Sequence, residues 1–219
     1  METRMVPQRF VVEYPERCLT LLKMLEPEAR KKELVASFAL LVASAVFLIP
    51  YERMKGRHPM RTGEDDDLTK ALRQLEREHK FLTAPFWAGA NAGAWRFSRI
   101  MKNANDTFCW CDETGVHPMS DKAKNYIGER TAGEVLRVIR NALSHGNIVY
   151  LDAEGHEERG AEVQYLGFLS RYEESDEQKK VAETYRLVAT TEDTFLAFVK
   201  AWAIWISKFS RNTDLIEAA

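Results

Sequence analysis

Hydrophobic positions along the chain recur first at helical spacing and later in short apolar runs. Leu19, Leu22 and Leu25 give a helix over 14–25. Pro27 stands where a new helix can begin, because its missing N–H is no loss in a first turn. A second helix is therefore expected over 28–49. Its stretch LVASFALLVASAVFLI, residues 34–49, carries no charge. Sixteen residues at about 1.5 Å each span about 24 Å, short of a ~30 Å hydrocarbon core, so the pattern predicts a fully buried central helix rather than a membrane span. KGRHPMRTGEDDD (55–67) is a loop by its Gly, Pro and charge content. Leu68, Leu72, Leu75 and His79 then give a helix over 67–82, with Asp67 as N-cap. FWAGANAGAWRFSRIM (86–101) is ambiguous, since its aromatics suggest burial while Gly89 and Gly93 weaken a helix. Residues 103–130 form a long irregular loop, a class that is often functional or mobile.

Beyond residue 130 the period changes twice. A helix over 131–144 is followed by short runs at 148–151, 163–169 and 184–189, rich in Val, Tyr, Leu and Phe. DAEGHEERG and RYEESDEQKK separate them, which reads as a three-strand meander. The last segment, TEDTFLAFVKAWAIWISKF, is a helix capped by Thr190 with Asp193, or by Thr191 alone. Phe195, Phe198, Val199, Trp202, Ile206 and Phe209 form its apolar stripe. The fold class is thus mainly α: a bundle of four to five helices with a small antiparallel β-element inserted before the last helix. The chain reads as a single domain over 1–219, with a helical core at about 14–146, the β-element at about 147–190 and the final helix at about 191–210.

Composition narrows the partners. The chain has 219 residues, 45% of them hydrophobic, enough for a sizeable core. A formal net charge of −2 is not the footprint of bulk electrostatic binding to nucleic acid, so any such binding needs a local patch. Cys18, Cys109 and Cys111 are an odd count without framework spacing, which points to a reduced compartment. The first eighteen residues lack the basic start and apolar run of a signal peptide, and a cytoplasmic location is expected.

The chemistry concentrates in RVIRNALSHGNIVY, residues 137–150. On a helical wheel at about 100° per residue, Arg130, Glu134, Arg137, Arg140, Asn141, Ser144 and His145 share one arc. Val135, Leu136, Val138, Ile139, Ala142 and Leu143 fill the opposite one. Asn141 and His145 are i,i+4 neighbours, as are Arg140 and Ser144. Gly146 is placed to end the helix in the left-handed conformation. Such a set suits a phosphodiester. An arginine grips phosphate oxygens in a fork and opposes developing charge. A histidine takes or gives a proton, and an asparagine orients the ring or the substrate. RNA supplies its own nucleophile, the 2′-hydroxyl, so neither metal nor cofactor is required.

Arg140-Asn141-Ala142-Leu143-Ser144-His145 resembles the R-x4-6-H signature of the HEPN superfamily (higher eukaryotes and prokaryotes nucleotide-binding), in which Asn directly after the Arg is the commonest form. The motif covers six residues. Its place near the end of a late helix extends the resemblance over most of the chain, with the strands and final helix as an elaboration. The resemblance implies a metal-independent endoribonuclease leaving 2′,3′-cyclic phosphate, with Arg140 and His145 catalytic and Asn141 in support. It also implies a homodimer with a composite cleft, RNA as substrate, and a role in toxin–antitoxin, abortive-infection or antiviral defence, with an antitoxin or other protein as a further partner. Other members are non-catalytic modules that bind RNA, a nucleotide or a protein. One toxin branch continues its motif as H-x-Y. Here Asn147 stands at that position and the nearest tyrosine is Tyr150, so that branch's chemistry is not carried over. Some members add a polar residue from an earlier helix, for which Glu52 and Arg53 are the candidates here, a solvated helix end being the plain alternative. Arg137, Ser144 and Arg130 are candidate substrate contacts on the motif face.

Other clusters yield plainer readings. Cys109, Cys111 and His117 lack the number and spacing of a zinc site. Residues 64–67 are an acidic run without the alternating ligands of a calcium loop. His58 and His117 each precede a proline in a turn, and Trp202 with Trp205 reads as core or interface rather than a base-stacking platform. Neither glycine-rich phosphate loop motif occurs.

Overall fold

The computed structural model of the chain describes residues 9–54, 58–59, 63–101, 104–171 and 184–214. The reading of the first eight residues, parts of the 55–67 loop, the start of the 103–130 loop and nearly all of the 171–180 connection fall outside them. The chain divides into two compact units. One comprises 1–79, 83–92 and 195–219; the other comprises 80–82 and 93–194.

In the first unit, α1 (Phe10–Lys31) runs through Pro27 instead of stopping there. Pro27 releases the carbonyl of Lys23, but both residues are exposed and water can take that bond. The break comes at Glu33, which adopts a left-handed φ of 55°. Leu34 N–H donates to Ala29 O (2.8 Å) and Glu33 N–H to Arg30 O (3.1 Å), the double closure of a helix end that usually employs glycine. The next helix is continuous over Val35–Arg53. It comprises α2 (Val35–Ala43), a π-helical turn (Ser44–Leu48) and α3 (Ile49–Arg53). The wide turn directly precedes Pro50, whose ring would otherwise press on the carbonyl four residues back.

Residues 34–49 were expected to be fully buried and are not. Val35, Ala36, Ala39, Ala43, Val46 and Phe47 point inward, while Leu34, Leu41 and Ile49 are exposed. The small residues of this stretch permit close packing on one side, and an apolar sequence all round leaves the other side bare. With 19 residues and mean hydropathy 1.8 the Val35–Arg53 helix is long and apolar enough to cross a membrane, and half of it is buried within the protein. α4 (Asp66–Glu78) buries Leu68, Leu72 and Leu75. Its N-cap is Asp65 rather than Asp67, and it ends before His79, which is extended. α6 (Glu192–Asp214) is capped by Thr191, whose hydroxyl accepts the Thr194 N–H at 3.2 Å. Its stripe closes an aromatic core in which Trp202 meets Phe47 edge-on at 5.0 Å and Phe86 at 5.8 Å.

The second unit is built on an antiparallel sheet ordered β1-β4-β3-β2: β1 (Trp95–Ile100), β4 (Tyr185–Thr190), β3 (Tyr165–Arg171) and β2 (Ile148–Leu151). Three of these are the expected meander. β1 comes from the ambiguous 86–101 stretch, so there is more sheet than the sequence pattern suggests, and the sheet is not merely an insertion before the last helix. The chain stays mainly helical. Gly93 fixes the entry to β1: its φ is 79°, and a Cβ there would come within 2.6 Å of Thr194. The helix 131–144 is α5 (Ala132–His145), and it packs against β3 and β4. The opposite face carries Ile100, Leu151, Leu169, Leu187 and Ala189, covered by Trp110 from the long loop. That loop therefore forms a second layer over the sheet. Asp112 pins it by accepting from Thr114 N–H (2.8 Å), Thr114 Oγ1–H (2.7 Å) and Val116 N–H (3.1 Å). Asn125 joins it to β1 by donating to Trp95 O (2.8 Å) and accepting from Phe97 N–H (3.0 Å).

α5 is fixed at its start by a reciprocal cap: Thr131 Oγ1 accepts the Glu134 N–H at 3.2 Å, and the Glu134 carboxylate accepts the Thr131 N–H at 2.9 Å. Burial alone would raise the Glu134 pKa, but the Thr131 N–H and the Arg130 guanidinium outweigh it and hold the carboxyl below the usual range. Thr131→Ala is expected to lower unfolding stability by about 1 kcal/mol in urea titration. A carboxyl depressed in the folded state contributes stability above its unfolded pKa and loses it as pH falls through the folded value. The gap between wild type and Glu134→Gln should be full near neutrality and close in acid. A gap that is constant with pH would refute this account of the cap.

Candidate functional site

Everything that positions the motif is local to α5 and its neighbouring strand. Val135, Leu136, Val138, Ile139 and Ala142 are fully buried, which turns the opposite edge of the helix outward. Gly146 ends α5 with φ 71°, as its place in the sequence suggests. Its N–H and that of Asn147 (3.0 Å) both reach Ala142 O.

Arg140 and Asn141 are half-buried. Arg140 donates through Nη2 (2.7 Å) and Nε (3.2 Å) to Asn141 Oδ1. Asn141 Nδ2 donates in turn to Ser170 Oγ at 3.0 Å, on β3. The amide therefore has its two ends fixed by different partners, and the guanidinium donates to a neutral acceptor. Asn141 orients the arginine rather than the histidine. His145 lies one turn further on, exposed, and its ring makes no hydrogen bond among the described residues. An exposed imidazole of this kind is open to proton transfer.

The remaining candidates separate. Ser144 and Arg137 are exposed on the same edge. Arg130 is taken up in the fold: it pairs with Glu134 at 2.9 Å and lies 4.6 Å from the Phe97 ring centroid. Glu52 and Arg53 close α3 in the first unit, where the Arg53 guanidinium lies 4.3 Å from the Phe10 ring centroid. His117 is held by protein groups on both nitrogens, with Nε2 to Thr107 O (3.0 Å) and Nδ1 accepting from Met119 N–H (3.3 Å). Burial keeps its pKa below the ordinary value. Among the described residues no group of three or more His, Cys, Asp or Glu is gathered as a metal site. A cleft of about 300 Å³ beyond the helix end, lined partly by Asn105, Asn147, Leu169 and Tyr185, opens on the loop-covered side of the sheet.

Ser170 was missed by sequence reasoning. Leu166, Phe168 and Ser170 alternate as one strand face should, but only the register reveals what stands beside them.

A double-mutant cycle tests the central bond. Asn141→Ala and Ser170→Ala should each cost about 1 kcal/mol in urea unfolding, with a coupling of about 0.5–1.5 kcal/mol. Strict additivity would mean that the bond contributes nothing in solution.

The family model described as HEPN pEK499 p136 matches residues 1–213. No curated protein and no solved structure matches the chain.

Proposed function

We propose a function for the α5 end from one premise: the chain belongs to the HEPN pEK499 p136 family, and so carries a nuclease or nucleotide-binding module. The proposed activity is metal-independent endoribonuclease cleavage. The observation that carries it is an oriented guanidinium one turn from an open imidazole on a single helix edge.

In this reading the RNA 2′-oxygen attacks the adjacent phosphorus and the bond to the 5′-oxygen breaks. The products are a 2′,3′-cyclic phosphate and a 5′-hydroxyl. Arg140 opposes the charge that builds on the non-bridging oxygens, and Asn141 holds the guanidinium toward them. His145 takes the 2′-hydroxyl proton or delivers one to the leaving oxygen. Both transfers are needed, and one motif offers one histidine. A homodimer with two motifs facing each other supplies the second. Ser144 and Arg137 contact the substrate beside the pair, in a cytoplasmic protein of toxin–antitoxin, abortive-infection or antiviral defence held in check by an antitoxin or other protein partner.

A second reading, a non-catalytic HEPN module binding RNA, a nucleotide or a protein, is favoured by the net charge of −2 and by Asn147 in place of the H-x-Y tyrosine. The two separate in one assay. Wild-type protein should cleave RNA in EDTA, and Arg140→Ala and His145→Ala should each lower the rate by about 100-fold or more while keeping their helical content. A folded wild-type dimer that cleaves nothing on a broad RNA panel would leave the binding reading.

A further inference from the structure

The cleft of about 300 Å³ beyond α5 begins one residue from His145, because Gly146 and Asn147 form part of its wall. The strand beneath it gives a second link to the motif. Successive residues of a strand point to opposite faces. On β3, Ser170 meets Asn141 on one face, while Leu169 lines the cleft on the other. The pairing of β2 with β3 starts at Ile148 and Phe168, so both residues lie just past its end. Motif and cleft thus adjoin through two successive residues of β3 as well as through the chain at 145–147.

The walls are fixed by the protein's own hydrogen bonds. Asn147 N–H donates to Ala142 O (3.0 Å), and Asn147 O accepts from Leu169 N–H (2.9 Å). On the loop wall, Glu157 N–H donates to Thr107 Oγ1 at 2.8 Å. The side chains of Asn105, Asn147 and Glu157 stay exposed and make no hydrogen bond among the described residues. Ile148, Val149, Leu169 and Tyr185 supply apolar surface. Apolar walls with a few convergent polar groups suit a flat ring with polar edges, and this volume stands at the small end of ligand pockets. Two wall residues also have aromatic neighbours. Phe108 follows Thr107 and His156 precedes Glu157, and their rings stack at 4.3 Å and 12°. His117 backs His156 at 5.0 Å, and Phe108 remains 58% exposed. An exposed ring held in this way stacks any base.

We propose that the cleft takes one nucleobase of a single RNA strand, with guanine preferred, and that Phe108 stacks an adjacent base. The proposal rests on the reading of the α5 end as an RNA site. Glu157 sets the preference. A carboxylate only accepts hydrogen bonds, and guanine offers it two adjacent donors, N1–H and the N2 amino group. In uracil the single N–H lies between two carbonyl oxygens that a carboxylate repels. Asn105 and Asn147 each carry a donor and an acceptor for the rest of the base edge. The long loop thus takes part in choosing where the strand is cut.

The test is binding of fluorescent 2′-O-methyl uridine heptamers to the full chain, either all uridine or with one central adenosine, cytidine or guanosine. The methyl group caps the nucleophile and prevents cleavage. The guanosine heptamer should bind about tenfold tighter than the all-uridine one. Glu157→Gln and Asn147→Ala should remove most of that difference and leave the unfolding midpoint unchanged. Phe108→Ala should weaken all four heptamers about tenfold without changing their order. Free guanosine 5′-monophosphate should compete only in large excess. Competition at equal concentration would make the cleft a free-nucleotide site and overturn the strand. Equal affinity for all four heptamers, or an unchanged guanosine preference in folded Glu157→Gln and Asn147→Ala, would overturn the pocket while leaving cleavage by Arg140 and His145 intact. Phe108→Ala that binds as wild type does would overturn the stacking. Wild-type protein that binds no heptamer would overturn the pocket, and the reading of the α5 end with it if no RNA is cleaved either.

Discussion

The side-chain amide of Asn141 is the point on which the site depends. Its oxygen takes the fork of Arg140 and its nitrogen reaches Ser170 across the helix–sheet contact. An arginine side chain loses much conformational freedom when it is held in one place. The Asn141 amide oxygen, a neutral acceptor, supplies part of that order. The bond to Ser170 ties the orientation of the guanidinium to the packing of α5 on β3, so the rigidity of the buried rows extends to the polar edge.

The two ends of α5 are used differently. At its start, Thr131, Glu134 and Arg130 are consumed by each other and by the Phe97 ring. At its end, Gly146 closes the backbone while the His145 side chain stays open. A helix secured at one end by a cap and along its length by six fully buried apolar residues can carry an uncommitted residue at the other. That asymmetry separates the committed side chains of α5 from the open one within fourteen residues.

The α5 element was legible in the sequence because every signal agreed: a cap, an unbroken apolar arc and a terminal glycine. The motif was legible because its residues are contiguous. What could not be read depends on distance along the chain. β1 follows two glycines in an aromatic stretch, and its partner β4 is some ninety residues away. Ser170 carries no local mark of function, and only the packing of α5 on β3 sets it beside Asn141. Pro27 and Glu33 misled for a different reason: a proline on an exposed helix side is tolerated, and the end that glycine usually makes is made here by glutamate. The long apolar segment was read as buried all round because composition does not tell which side neighbours will cover.

The most direct test of the central claim uses the substrate rather than the protein. Once a cut site is mapped in an RNA, a single 2′-deoxy nucleotide is placed 5′ to the scissile phosphate and cleavage is followed in EDTA. The account predicts that cleavage stops at that position and continues at unmodified sites, because the attacking oxygen has been removed. Cleavage that persists at the deoxy position would mean that water or another group attacks the phosphorus, and the roles given to Arg140 and His145 would be wrong.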